Sequence, residues 1–448
     1  MTKKQRFTLY ATIIASGIVI LDGSVVNLAL PHISSGLNAS FSDLQWIIDG
    51  YLLSLSALIL IGGSLGDILG RKRVYLFGLA GFGIASLLCG LSVTPGMLIG
   101  LRMLQGVFGA LLVPGALAII NTNFDTKSRS AAIGKWTAWS ALAAAIGPLV
   151  GGYIISFASW RWIFIINVPL VVICFYLGVR GIKETKDPAP RKIDFAGAFL
   201  AALALCGITF GLIEGPARHW QAAAVIPLTL GILSSVLFLA IEKRSKDPMV
   251  KLELFKSRNF VEANIATFAM YGALSGFFFA LLIYLQNVVG FSSLKAGLTM
   301  LPISIMLLLL SSRIGVLVGR YGSKPFMTAG PLIAAAGMLS LINLHKDSSL
   351  LGAVLPGITL FGLGLALNVA PLTSTVMSSV KEADSGIASG VNNAVSRVSG
   401  LLVIALLGLF GTANSYRYTV LLCVVLAASA GIISFLLVDN AAMKRARA

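Results

Sequence analysis

Charge is what this chain has least of. Aspartate, glutamate, lysine and arginine make up 11% of its 448 residues, where a soluble domain carries roughly a quarter. Acids are the scarcer sign, 17 against 34 lysines and arginines. The three histidines, His32, His219 and His345, are scattered one to a loop, which argues against a metal site. The four cysteines, Cys89, Cys174, Cys206 and Cys423, lie in apolar runs without paired or metal-ligand spacing and read as small core residues. No Ser-His-Asp, HExxH or phosphate-loop pattern occurs. An enzyme is not expected, nor a cofactor or a metal.

Hydrophobic residues, by contrast, make up 57% of the chain. They gather in runs of 18 or more, long enough to cross a hydrocarbon core about 30 Å thick. Fourteen such spans can be drawn, from 7–30 to 418–439. The first is too long for a cleavable signal peptide, and Leu30-Pro31-His32 follows it instead of a small-residue cleavage site. An all-α polytopic membrane protein is expected. The net charge of +17 does not point to nucleic acid, because the basic residues alternate from loop to loop. One set of loops and ends holds clusters such as Lys3, Lys4, Arg6; Arg71, Lys72, Arg73; Arg191, Lys192; Lys243, Arg244, Lys246; and Lys444, Arg445, Arg447. The other set holds at most one each: Arg161, Arg218, Lys295, Lys346 and Arg417. The rule that cytoplasmic loops are basic puts both termini in the cytoplasm, and basic residues there can also meet anionic lipid.

The chain is organised around Gly63-Ser64-Leu65-Gly66-Asp67-Ile68-Leu69-Gly70-Arg71-Lys72-Arg73, a charged turn between spans 2 and 3. Its glycines permit close helix approach and chain reversal. An aspartate followed by three basic residues can lock against other helix ends. The turn recurs half a chain later as Gly315, Leu317, Arg320, Gly322 and Lys324, with Gly319 in place of Asp67. A repeated pivot predicts two related halves: a six-helix bundle over residues 1–181, two inserted helices and a linker over 182–258, and a second six-helix bundle over 259–448. Residues 249–256 alternate apolar and charged side chains, as a short helix on the inner surface does.

These residues resemble the major facilitator superfamily, and more closely its fourteen-helix drug:proton antiporter branch. The pivot is similar to the family's signature loop. Leu21-Asp22-Gly23-Ser24-Val25-Val26-Asn27-Leu28-Ala29-Leu30-Pro31 resembles the branch's first-helix motif, and Leu44-Gln45-Trp46-Ile47-Ile48-Asp49-Gly50-Tyr51 its second-helix entry. Arg102-Met103-Leu104-Gln105-Gly106 resembles the fourth-helix arginine motif, and Gly147-Pro148-Leu149-Val150-Gly151-Gly152 the fifth-helix motif associated with antiport. Trp160 to Pro169 follows as the branch has it. Ile68 replaces a basic residue usual in the pivot, and Ala143 the first glycine of the fifth-helix motif.

The resemblance implies a major facilitator fold and export of a lipophilic drug-like or amphipathic compound by alternating access. Protons are the coupling ion, multidrug efflux and antibiotic resistance the setting, and the protein works as a monomer in a bacterial-type inner membrane. Two rival readings stay open: an exporter dedicated to one endogenous metabolite (a siderophore, lipid precursor or antibiotic), and a nutrient importer. Ionisable groups inside spans carry function by default. Asp22, Asp49 and Arg102 fall at similar depth and are the expected proton and substrate site; burial favours the neutral acid and a guanidinium favours the anion, a balance suited to proton exchange. Gly63, Asp67, Gly70, Arg71 and Lys72 form the expected lock. Gly147, Pro148, Gly151 and Gly152 either bend the fifth span or serve as close-packing residues. Arg397 is a second-half residue that faces either the cavity or helix carbonyls. Glu214 reads as a solvated carboxylate at a helix end. With no acid in spans 9–14 beyond Glu262, a dicationic substrate is disfavoured and a neutral, zwitterionic or monocationic lipophilic one is expected, a cation competing with the proton at Asp22.

Overall fold

The computed structural model describes residues 1–187, 194–245, 250–381, 384–410 and 415–439. The clusters at Arg191–Lys192 and Lys444–Arg447, and Lys246, lie outside them. Among the described residues every element is helical. The order is α1 (Lys3–Leu37), α2 (Phe41–Leu69), α3 (Arg71–Gly90), α4 (Pro95–Asn123), α5 (Thr126–Phe157), the single turn α6 (Trp162–Ile165) and α7 (Asn167–Gly181). Then come α8 (Phe195–Ala217), α9 (Ala222–Arg244), α10 (Arg258–Asn287) and the short α11 (Ser293–Leu298). The chain closes with α12 (Leu301–Tyr321), α13 (Lys324–Ser340), α14 (Leu355–Ser378), α15 (Ser385–Leu406) and α16 (Ser415–Leu437).

Eleven of these stretches are long and apolar enough to cross a membrane, and α2, bent by 49° between Phe41–Ile59 and Ile61–Leu69, makes a twelfth. The other two of the fourteen expected spans are helical but fall short of that test. In α5 the apolar stretch is Ile146–Phe157, and α13 has 17 residues. The bend in α2 has a local cause. Gly62 lies so close to the Ala110 backbone of α4 that a side chain there would collide with it, and glycine pairs are a usual origin of kinks.

Local chemistry sets the ends. Thr2 with Gln5, and Ser40 with Asp43, form capping boxes at the starts of α1 and α2. Gly70 ends α2 at φ 114° and Gly322 ends α12 at φ 81°, backbone angles open to glycine. The two copies of the pivot thus terminate their helices with the same residue type at the same place. Leu252–Lys256 forms a short 3-10 helix ahead of α10.

Within the first half α1 packs on α4, α5 and α7, and α4 lies between α2 and α3. In the second, α10 packs on α15 and α16, while α13 lies between α14 and α16. α8 and α9 pack on each other through Gly207 and Gly231, where an added methyl would strike backbone. α8 also touches α2 and α15. Phe195, Phe199, Ile232, Leu233 and Val236 on this pair are exposed, an apolar surface suited to lipid. The long apolar helices and this surface define an integral membrane protein.

Hydrogen bonds between the halves gather at the ends expected outside. Gln45 Nε2 donates to the carbonyls of Ile404 at 2.5 Å and Ala405 at 3.3 Å. Gln286 Nε2 donates to the Leu28 carbonyl at 3.0 Å, the Leu294 N–H to Ser156 Oγ at 3.0 Å, and Ser293 Oγ lies 3.4 Å from His32 Nδ1. Phe41 and Phe279 meet edge to face at 5.8 Å across the same seam. The chain is captured with its expected outer end closed.

Candidate functional site

Asp22 on α1 and Arg102 on α4 each expose 1% of their surface. Arg102 Nη1 donates to Asp22 Oδ2 at 2.5 Å. Asp22 Oδ1 accepts from Gln105 Nε2 at 3.0 Å and from Asn167 Nδ2 at 3.2 Å. Arg102 further donates to Gln105 Oε1 at 2.7 Å and to the Ile47 carbonyl at 3.2 Å, and its guanidinium lies 4.2 Å from the centre of the Tyr51 ring. Asn167 also donates to Ser86 Oγ at 3.0 Å, and Ser86 to the Phe164 carbonyl at 2.9 Å. Every group facing the Asp22 carboxylate is a donor. A proton on either oxygen needs an acceptor where a donor now sits, so it must displace one. Protonation there is structurally felt.

Asp49 does not join this network. Ile47 and Tyr51, four residues apart on α2, both face Arg102, and Asp49 between them points to the opposite side. It shares a face with Gln45, the residue bonded to α15. Asp49 is 0% exposed, and neither carboxylate oxygen has a hydrogen-bond partner among the described residues. The expected layer therefore contains one carboxylate and one guanidinium bonded together, with the second carboxylate turned away.

In the pivot, Arg71 donates to Asp67 Oδ1 through Nε at 2.9 Å and Nη2 at 2.7 Å. Lys72 Nζ donates to the Val179 carbonyl at 2.7 Å, and Gly63 packs on Pro114. The expected acceptance by Asp67 from the start of α15 falls largely on residues 382–383 and 385–386, whose contacts lie outside those described. Glu184, which sequence reasoning passed over, accepts from the Lys72 and Arg73 N–H groups at 3.0 and 3.2 Å. It places a negative charge on the N-terminus of α3, where the helix dipole favours one. Gly70 leaves room for that carboxylate, which a Cβ would strike.

The fifth-helix residues make close contacts. A Cβ on Gly147 would crowd Ser24 of α1, one on Gly151 would crowd Val25, and one on Gly152 would lie 2.8 Å from the Ser293 carbonyl across the seam. The Pro148 carbonyl abuts Gly297 of α11 in the same way. Gly152→Leu is expected to force α5 and α11 apart. Overpacking of that kind costs about 1–3 kcal/mol, enough to shift the closed outer end about tenfold towards open. A cysteine at Ser293, which is buried here, should then react correspondingly faster with an impermeant maleimide added from outside. An unchanged rate would remove the glycine's role in closure.

Glu214 is a partly exposed helix-end carboxylate, as expected, but it is not free. It accepts from Trp46 Nε1 at 2.9 Å and pairs with Arg218 at 2.7 Å, tying α8 to α2. Arg397 on α15 is half-buried and makes no hydrogen bond or ion pair among the described residues. Gln105 and Asn167 were visible only as motif members. For Gln105 the available signal was its position three residues after Arg102, on the same helix face.

The folded chain is thus a polytopic helical membrane protein with a buried ion network in one bundle and a seam between two. The Major Facilitator Superfamily profile matches residues 12–404, and the chain belongs to that family of membrane transporters. It is 32% identical over 411 residues to the multidrug resistance protein Stp of Mycobacterium tuberculosis strain CDC 1551, covering 91% of this chain and 76% of that one. Identity is also 32% to the tetracenomycin C resistance and export protein of Streptomyces glaucescens, over 90% of this chain and 75% of the relative. The multidrug efflux pump LfrA of Mycolicibacterium smegmatis strain mc(2)155 matches at 32%, over 88% and 79%. In fold the chain resembles the inward-open xylose transporter XylE of E. coli, with a TM-score of 0.66 at 14% identity over 97% and 96% of the two chains. A peptide transporter, POT, crystallised with sulfate, gives 0.71 at 16% identity over 97% and 93%.

Proposed function

We propose that this protein is a proton-coupled antiporter that exports lipophilic drug-like compounds by alternating access between residues 1–181 and 259–448, with 182–258 as an inserted pair. The observation that carries the reading is the buried Asp22 carboxylate, held by three donors from two other helices. Proton arrival at Asp22 loosens α1 from α4 and α7; proton departure restores the grip. That exchange of partners is the coupling step. Asp49, buried without a donor, is the second proton-carrying candidate, since an uncompensated charge there is costly. The relatives whose names include multidrug efflux and antibiotic export support the substrate class.

The closed seam corresponds to an inward-facing form, with the termini in the cytoplasm of a bacterial cell and protons as the only coupling species. In the outward-facing form the inner ends close instead, and Asp67 accepts from the N–H groups at the start of α15. An inward proton flow drives the cycle because each charge crossing the potential is worth about 2.3 kcal/mol per 100 mV. Everted vesicles containing this protein, given a panel of fluorescent dyes, should accumulate dye when their interior is acid and release it on adding an uncoupler. Accumulation indifferent to the proton gradient would refute the antiport.

A further inference from the structure

We propose that Arg397 binds an acidic group on the transported molecule, so that the preferred cargo is a lipophilic acid; this rests on the export reading above and deepens it. Two sides of α15 do different things. Asn392 donates to Thr267 at 2.7 Å and to Asn264 at 3.3 Å, and Val403 fills the space beside Gly272 and Gly276, so this side faces α10. Ser389, Asn393 and Arg397 recur every four residues on another face. Asn393 is exposed in the middle of an apolar span, a position that is costly against lipid and natural against a water-filled cavity. Gly23, midway along α1, is likewise exposed, with open space where a side chain would stand. α15 packs against α2 of the first half, where Gln45 bonds the Ile404 and Ala405 carbonyls, and Arg397 lies about two helical turns from that contact, beside the boundary between the bundles.

The charges around this space are unequal. Arg102 has Asp22, Arg71 has Asp67 and Arg218 has Glu214, whereas Arg397 has no carboxylate among the described residues. The acids deep within the described spans of the two bundles are not presented to this space. Asp22 is neutralised, Asp49 is fully buried, and Glu262 is buried beside Ser434, which donates to it at 2.7 Å. A cation entering beside Arg397 meets a guanidinium that has no carboxylate partner among the described residues. An anion finds a partner whose planar fork fits a carboxylate or sulfonate. The scarcity of acids that disfavours a dication thus extends to a preference for negative charge.

Fluorescein and rhodamine 123 share a xanthene skeleton and differ in charge, and anisotropy titrations of both against the purified full chain in nanodiscs read the site directly. The unmodified protein should bind fluorescein at least about tenfold more tightly than rhodamine 123. Arg397→Gln should remove that preference by weakening fluorescein about tenfold, with rhodamine 123 binding retained as proof of a folded cavity. Arg397→Lys should keep most of it. Preference for rhodamine 123, or fluorescein affinity untouched by Arg397→Gln, overturns the proposal. The titrations need no proton gradient, so efflux that ignores the gradient while charge selectivity persists refutes the antiport and leaves the acid site standing.

Discussion

Asp22→Asn is expected to reduce efflux driven by an imposed pH gradient to the level of vesicles lacking the protein. The amide keeps the shape of the carboxylate but carries no proton that can be lost. Its NH2 also points a donor at a place where Gln105 and Asn167 already donate. Binding of an uncharged dye should survive, because the carboxylate is buried beneath α1 and α4 instead of lining open space. Dye accumulation in everted vesicles, read beside equilibrium dye binding, separates the two effects. Gradient-driven accumulation at the unmodified rate would exclude Asp22 as the coupling group.

Much of this was legible in the sequence because membrane physics leaves a coarse record. Apolar run length gives the spans, and loop charge gives an orientation. The repeated pivot was legible too, since Gly70 and Gly322 sit where the chain needs a positive φ to stop one helix and start another. Depth could be counted along each span, and so Asp22 and Arg102 were placed together. Which way a residue faces could not. Asp49 lies at the depth of Ile47 and Tyr51 but on the other side of α2, because successive odd positions along a helix alternate sides and only tertiary packing says which side is which.

Contacts between distant segments were the other gap. Glu214 reads locally as a helix-end carboxylate beside Arg218, and only the approach of Trp46 from α2 gives it a partner on another helix. Glu184 lies more than a hundred residues from the N–H groups it caps, with no periodicity to connect them. The glycines of the fifth helix admitted two readings, bend or close packing. Their neighbours Ser24, Val25 and Ser293 supply the second, and Ser293 comes from the other half of the chain. A preference for small residues is visible in sequence; the surface they make room for is not.

Arg102→Leu is expected to produce the largest loss of stability of any single change at this site. The substitution keeps an apolar stem against Tyr51 but leaves Asp22 buried and without its counter-charge. Removing one partner of a buried pair typically costs about 3–5 kcal/mol. The Gln105 and Asn167 donors remain, yet two neutral amides do not replace a guanidinium at 2.5 Å. Thermal unfolding of the purified protein in detergent measures the loss. Adding Asp22→Asn to Arg102→Leu should return most of it, because both charges are then gone and the cavity keeps nearly the same volume. Transport should not return with it, since the proton-carrying group is absent. If Arg102→Leu unfolds within about 1 kcal/mol of the unmodified chain, the pair adds no more than an exposed ion pair does. Asp22 and Arg102 would then be independent groups, and proton arrival at one would have no means of loosening the helix that carries the other.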